Sequence, residues 1–157
     1  MTDAIQPPAL SFAFEARVGV APAIEAGPGP RGTRRIIPIT GGVVAGPRLD
    51  GTVIPGGADW QIVHADGLID LTARYTIEAA DGARIGVVNR GYRHAPPEIL
   101  ARLARREPVD PALVYFRTAP RFEAPPGGPH DWLNRTILIA TAQRHPDGVL
   151  LRFFAVE

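Results

Sequence analysis

Three polar residues, one on each of three neighbouring predicted strands, have the chemistry needed for proton transfer. Asp59 offers a carboxylate, Arg74 a guanidinium and Asn89 an amide. A carboxylate can take up and release a proton, and a guanidinium beside it can stabilise negative charge that develops on a substrate. We therefore predict Asp59 and Arg74 as candidate catalytic residues, with Asp59 as the general acid or base.

Two Asp-Gly pairs, Asp66-Gly67 and Asp81-Gly82, predict how these strands align. Flanked by alternating residues, such a pair is typical of a two-residue hairpin turn, because that turn needs positive φ at both central positions. With two-residue turns, Asp59 faces Arg74 and Arg74 faces Asn89 across one face of the sheet. The other face is then mostly apolar and carries Trp60, Ile62, Leu71, Tyr75, Ile77 and Val88.

This polar row has two interpretations. On a solvated face, the Asp59 and Arg74 pair would be a surface ion pair that contributes about 0 to 1 kcal/mol. In a barrel lumen or cleft, the same pair would position a ligand, and the pKa of the carboxyl group would be shifted. The hairpin pattern does not choose between them.

Alternation of apolar and polar residues predicts the elements that carry these side chains. The segment 38–60 holds a strand, a bent glycine- and proline-rich crossing and a second strand that starts at Ala58, which places Asp59 and Trp60 on opposite faces. A helix is predicted at 96–106, because prolines suit its first turn and Pro108 ends it. Residues 21–32 are predicted as a long exposed loop. The predicted strands are 10–18, 34–44, 58–65, 68–80, 83–93, 114–123, 135–144 and 149–156.

One short helix against about eight to ten strands predicts an all-β protein, and in a small domain such a sheet closes into an antiparallel barrel or splits into a sandwich. We predict one barrel domain over residues 9–157, preceded by a flexible lead-in at residues 1–8. Phe153 and Phe154 fall on opposite faces of the last strand, so one of them is a candidate exposed apolar residue. This feature favours a homo-oligomer.

The composition of the 157-residue chain limits the function. A net charge of +1 gives no support to a nucleic-acid or anionic-membrane partner. The chain lacks cysteine, and its four histidines show no metal-like spacing, so we predict no metal and no cofactor. The predicted location is cytoplasmic, since neither a signal sequence nor a membrane-length apolar stretch is visible. Arg34 and Arg35 are predicted to be solvated surface charges.

Several separated motifs occur in an order that resembles the family catalogued as domain of unknown function 3237. The motifs are PITGG at 38–42, GPRLDGTVIPGGADW at 46–60, ARY at 73–75, NRG at 89–91, YFRTAPRFE at 115–123 and WLNR at 132–135. The resemblance covers residues 9–156 and implies a calycin-like, lipocalin-like β-barrel. It supplies no reaction. Because Asp59, Arg74 and Asn89 are motif positions, the resemblance favours a pocket over a solvated face.

Three functions remain open. The first is a barrel that binds a small, partly aromatic or carbonyl-bearing metabolite. The second is a cofactor-free isomerase, cyclase or lyase that uses Asp59 and Arg74. The third is a structural barrel without a ligand. The predicted ligand-binding residues are Trp60, Asn89, Arg90, Arg117, Trp132 and Asn134.

Overall fold

The structure, a computed structural model, describes residues 4–157 as an antiparallel β-barrel with one short α-helix. The strands are β1 (Leu10–Val20), β2 (Ile24–Gly29), β3 (Gly32–Ala45), β4 (Gly51–Val63), β5 (Ile69–Ala79), β6 (Arg84–His94), β7 (Tyr115–Glu123), β8 (Leu138–His145) and β9 (Gly148–Val156). Helix α1 is Pro97–Ala104, and short 3₁₀ turns cover Pro111–Leu113 and Asp131–Asn134.

The strand order is β1-β9-β8-β7-β6-β5-β4-β3-β2, and β1 also pairs with β3. This additional pairing closes eight strands into a barrel, while β2 extends β3 outside the ring. The predicted all-β barrel with a single short helix is therefore confirmed for the described residues. Residues 1–3 of the predicted lead-in lie outside them.

The hairpin register predicted from the Asp-Gly pairs is wrong by one residue. Asp59 is paired with Ala73, and Ala73 is paired with Asn89. Arg74 instead lies between Ala58 and Val88. Because side chains alternate between faces, this shift puts Arg74 on the opposite face of the sheet from Asp59 and Asn89.

The shift arises because each turn holds three residues. The amide of His64 donates to the carbonyl of Leu68, and the amide of Ala79 donates to the carbonyl of Ala83. The last loop residue, Gly67 or Gly82, has a φ of 90° or 88°. A three-residue loop with a left-handed glycine is the next commonest hairpin after the two-residue one, and Asp-Gly fits both.

The segment predicted as a loop at 21–32 contains strand β2. Ile24 is paired with Ile36 and Pro28 with Thr33, with a bulge between Glu25 and Gly27. The composition predicted a loop because proline and glycine are rare inside sheets. They are tolerated here because β2 is an edge strand, where a missing amide donor faces no neighbour.

One half of the barrel interior is tightly filled by apolar side chains. Phe14 stacks on Phe153 with ring centroids 4.7 Å apart, and Phe122 meets both rings edge to face at 5.8 and 5.9 Å. Ile77 and Ile85 are fully buried beside them. Phe116 and Phe122 of β7 point inward while Arg117 and Arg121 point outward. Burial of this cluster is the main source of stability of the domain.

Helix α1 lies at the end of the other half of the barrel. Pro97 occupies the first turn, where its missing amide proton costs nothing, and Glu98 lies at the positive end of the helix dipole. Ile99 is buried, and Leu103 and Ala104 face the interior. The helix therefore covers a part of the barrel that side chains do not fill.

Candidate functional site

The half of the barrel under α1 holds a cavity of about 470 Å³. Its walls are mostly apolar, with Ile39, Leu71, Phe116 and Leu151 among them. A cavity of this size, mainly apolar with a few convergent polar groups, is typical of small-molecule sites. The polar side chains that line it are Arg35, Asp59, Gln61, Tyr75, Arg93, Thr118 and Arg144.

A chain of hydrogen bonds connects Arg35 to Asp59 through Gln61. Arg35 Nη2 donates to Gln61 Oε1 at 2.6 Å, and Gln61 Nε2 donates to Asp59 Oδ2 at 2.8 Å. The strands explain this arrangement, because Arg35 and Gln61 are paired across β3 and β4, and Asp59 is two residues from Gln61 on the same face. The chain fixes one oxygen of the carboxylate and leaves the other free.

The free oxygen of Asp59 makes this residue a candidate proton donor or acceptor. Oδ1 is buried and has no hydrogen-bond partner within the described chain. Burial raises the pKa of Asp59, and the hydrogen bond from Gln61 and the charge of Arg35 oppose that effect only in part. A carboxyl group that holds its proton beyond the usual range is suited to general acid catalysis.

Further polar groups around Asp59 also lack partners within residues 4–157. The hydroxyl groups of Tyr75 and Thr118, which line the cavity, are buried without a hydrogen bond, and so is the Oδ1 atom of Asn89 on the same face of the sheet as Asp59. Burial raises the pKa of Tyr75, so its hydroxyl remains a hydrogen-bond donor at neutral pH. Buried polar groups in proteins nearly always have a hydrogen-bond partner. Several such groups without a partner around one cavity indicate that a ligand or water binds there.

Arg35, Arg93 and Arg144 bring three positive charges to the cavity. Burial lowers the pKa of Arg93, and the charges of Arg144 and Arg35 lower it further. Burial and the charge of Arg35 likewise lower the pKa of Arg144. Asp59 is the one acidic residue among the described lining residues. The prediction that Arg35 is a solvated surface charge is therefore wrong.

A sequence signal for this arginine cluster was present in the alternation of the strands. Residues an even number of positions apart on a strand share a face. Arg35 therefore lies on the face of the inward residues Ile37 and Ile39, Arg93 lies on the face of Asn89, and Arg144 lies on the face of Ala142. Each arginine lies near the end of its strand. Arginine on an otherwise apolar face of a strand predicts a charged interior or rim, whereas the sequence analysis assigned Arg35 to the surface by its polarity alone.

Most of the other predicted site residues lie away from the cavity. Trp60 is 53 % exposed on the outer face of β4. Arg74, Arg90 and Arg117 are exposed on the outer faces of β5, β6 and β7. Asn89 alone among the predicted ligand-binding residues shares the interior face with Asp59, and it is 1 % exposed. The predicted contacts of Arg74, Arg90 and Arg117 with a ligand in the lumen are thus not possible in this geometry.

Trp132 and Asn134 lie in the 3₁₀ turn at the filled half of the barrel. The guanidinium carbon of Arg48 lies 3.6 Å from the centroid of the Trp132 ring. The Asn134 side chain accepts from the Ala124 amide at 2.8 Å and donates to the Ala124 carbonyl at 3.0 Å and to Asp131 Oδ1 at 2.8 Å. These contacts assign Asn134 a structural role, because its amide group fastens the 124–134 loop.

Within residues 4–157, no three His, Asp or Glu side chains come together as a metal site would need. No helix in the described part of the chain has the length and apolar character to cross a membrane.

The fold and the cavity define a closed β-barrel whose interior carries a carboxyl group among arginines. The family model described as "Protein of unknown function (DUF3237)" matches residues 8–156. The chain belongs to this family, as its motifs predicted. It is 48 % identical over 140 residues to a UPF0311 protein of Bradyrhizobium diazoefficiens, which covers 89 % of this chain and 90 % of that protein.

Two further comparisons bear on fold and activity. The crystal structure of a conserved protein of unknown function from Rhodopseudomonas palustris has a TM-score of 0.89 and 40 % identity, covering 98 % of this chain and 100 % of that chain. A hydroalkoxylation enzyme of Penicillium herquei is 40 % identical over 79 residues, which is 50 % of this chain and 52 % of that enzyme.

Proposed function

We propose that this protein is a cofactor-free cyclase or isomerase that uses Asp59 as general acid and base on a small, oxygen-bearing substrate in the barrel cavity. The observation that carries the proposal is the geometry of Asp59. One carboxylate oxygen is fixed by Gln61, the other is buried without a partner, and burial raises the pKa of the group. A carboxyl group in this state can give a proton to a substrate and take one back.

The similarity to a hydroalkoxylation enzyme supports one form of this chemistry. Hydroalkoxylation adds the O–H bond of an alcohol or phenol across a carbon–carbon double bond. In the proposed step, Asp59 gives its proton to one alkene carbon, and the hydroxyl oxygen forms a new C–O bond with the other. The hydroxyl proton passes to the Asp59 carboxylate. Asp59 ends as it began, no atom is lost, and the step needs no oxidant or reductant.

The surrounding side chains have parts in this proposal. Gln61 and Arg35 hold the carboxyl group in one orientation and stabilise its charged form after it gives up the proton. Tyr75, with its free hydroxyl, is placed to donate a hydrogen bond to a substrate oxygen. The apolar walls exclude water, which strengthens both interactions. Arg35 takes the anion-stabilising role that sequence reasoning gave to Arg74.

Binding without turnover is the second candidate function. The mostly apolar cavity favours it, because a carrier of a small metabolite needs such a volume and no reactive group. Under this alternative, Asp59 would orient a ligand through hydrogen bonds alone.

The test is turnover of ortho-allyl and ortho-prenyl phenols in D₂O. We expect a cyclic ether, an isomer of the substrate with one deuterium on carbon. We also expect at least a 100-fold loss of rate in Asp59→Asn, the usual contribution of general acid–base catalysis. Asp70→Asn is the matched control, because Asp70 lies on the outer face of β5 and should react as the unmodified protein does.

An equal rate in Asp59→Asn and the unmodified protein would refute the catalytic proposal. Saturable binding of these phenols with no product would instead support the carrier function. The two candidates therefore give different results in one experiment.

A further inference from the structure

We infer that the molecule bound in this cavity carries a carboxylate, which the guanidinium groups of Arg35, Arg93 and Arg144 hold at the end of the cavity near helix α1. The inference rests on the proposed function, since it names the class of molecule on which Asp59 acts. It also applies to the carrier alternative, because the arginine cluster is part of the cavity in either case.

The first argument is the charge of the cavity. Three arginines and one aspartate line it, so the described lining residues carry a net charge of +2 when all four are ionised. No carboxylate among residues 4–157 lies within 4 Å of any of the three guanidinium groups. Arg35 and Arg93 are half-buried, and Arg144 is exposed at the rim. A charge that is partly removed from water is costly unless it is paired. An anionic ligand supplies the missing partner.

The second argument concerns free donors. In the described chain, the hydrogen bond from Arg35 to Gln61 is the one bond that links these guanidinium groups to another side chain. The buried Nε atoms of Arg35 and Arg93 have no acceptor. A guanidinium presents two parallel N–H donors that match the two oxygens of a carboxylate. The free donors therefore favour a planar carboxylate over a neutral group.

The third argument is that Asp59 does not neutralise the cluster. Among the three arginines, Arg35 alone acts on the pKa of Asp59, and the one bonded oxygen of Asp59 accepts its hydrogen bond from Gln61. Burial lowers the pKa of Arg93 and Arg144, repulsion from Arg35 lowers both further, and repulsion from Arg144 adds to the effect on Arg93. This repulsion persists without a ligand and is relieved by an anion.

The walls between the arginines and Asp59 indicate the rest of the molecule. Asn89 lies level with Asp59 in the sheet, because both are paired with Ala73. From this level, Gln61 lies two residues along β4 and Arg93 lies four residues along β6 in the same direction. These offsets are about 7 and 13 Å along the strands. Phe116 lies beside Arg93, with its ring centroid 6.0 Å from the guanidinium carbon. The arrangement suits an aryl acid whose carboxylate is separated from its reacting carbon by several bonds.

The test compares the binding of acids with that of their neutral amides. Benzoate, 3-phenylpropionate and 4-phenylbutyrate, each beside its primary amide, are titrated at low salt by calorimetry. For at least one pair, we expect the acid to bind at least 10-fold more tightly. Arg93→Gln and Arg144→Gln should each weaken binding of that acid at least 10-fold and leave the amide unchanged, as expected for loss of a charged hydrogen-bond donor.

Arg90→Gln is the matched control, because Arg90 lies on the same strand as Arg93 and faces outward. It should bind the acid as the unmodified protein does. Both test variants should fold, since neither guanidinium has a carboxylate partner in the described chain, and their melting temperatures check this. If one of the two variants does not fold, the affinity of the other variant for the acid decides the test.

Equal affinity for every acid and its amide, or unchanged affinity for the acid in both folded arginine variants, would overturn the inference. Failure of all three acids to bind the unmodified protein would also overturn it. Asp59→Asn separates the two proposals, because it should abolish turnover and still bind the acid. Loss of turnover in Asp59→Asn without any preference for acids would leave the catalytic proposal intact and remove the carboxylate site.

Discussion

Replacing Gln61 by leucine tests whether the hydrogen bonds between Arg35 and Asp59 hold a charged group in a water-poor site. The substitution removes both bonds, of 2.6 and 2.8 Å, and keeps most of the side-chain volume. Gln61 is 8 % exposed, so water does not easily replace it. A hydrogen bond to a charged group contributes about 1.5 to 3 kcal/mol, and part of the loss is offset because leucine suits an apolar wall. We expect Gln61→Leu to lower the free energy of unfolding by about 2 to 3 kcal/mol at neutral pH.

The pH dependence of this loss identifies its cause. Without Gln61, neither oxygen of the Asp59 carboxylate has a partner among the described residues, so its pKa rises further. Between neutral pH and about pH 4, Asp59 increasingly takes up its proton, and its bond to Gln61 then becomes a neutral one, which contributes about 1 kcal/mol, whereas the bond from Arg35 stays charged. The loss of unfolding free energy should therefore be smaller at acidic pH. Denaturant unfolding at both pH values measures the difference.

Gln143→Leu provides the matched control, because Gln143 is an exposed strand residue with no side-chain hydrogen bond in the described chain. A surface substitution of this kind changes stability by less than about 0.5 kcal/mol at either pH. If Gln61→Leu behaved as Gln143→Leu does, or lost as much stability at acidic as at neutral pH, the proposed role of Gln61 would be wrong.

Three further substitutions test separate parts of the structure by denaturant unfolding. Asp59→Asn should stabilise the protein by about 1 kcal/mol at neutral pH. The pKa of Asp59 in the folded protein lies above its ordinary value of 3.8, so between these two pH values the unfolded chain binds fewer protons than the folded protein. The free energy of unfolding therefore falls as the pH rises through this range. The asparagine variant should lack this fall. Arg74→Ala should change stability by less than about 0.5 kcal/mol and show no coupling to Asp59→Asn in a double-mutant cycle, since the two side chains lie on opposite faces; coupling above about 1 kcal/mol would contradict the register. Asn134→Ala should cost about 0.5 to 1.5 kcal/mol, because the amide and carbonyl of Ala124 lose their side-chain partner at an exposed position; an unchanged midpoint would show that water satisfies both groups.

The sequence predicted the fold well because the signals for a barrel are local. Alternation located β7 within one residue at each end, and the prolines around α1 located the helix within two residues at each end. The placement of Asp59 and Trp60 on opposite faces of β4 was also correct. Each of these features depends on a few consecutive residues and on the two-residue period of a strand.

The partners of Asp59 could not be predicted in the same way, because they depend on loop length. Asp66-Gly67 is compatible with a two-residue turn and with a three-residue turn, and one residue of difference exchanges the faces. Arg35 reaches Gln61 through a contact between β3 and β4 that spans 26 residues of sequence. No local pattern gives that register, since glycines and prolines interrupt both strands and the pairing shifts between Pro38 and Gly42.

The measurement that tests the central claim most directly is the pKa of Asp59. Carboxyl carbon chemical shifts, followed by NMR across a pH titration, report this group by itself, and Asp59→Asn assigns the signal. We expect a midpoint above the ordinary value of 3.8, because burial outweighs the effects of Gln61 and Arg35. A midpoint at or below 3.8 would show that Asp59 is an ordinary ionised carboxylate, which would contradict its role as a proton donor in the cavity.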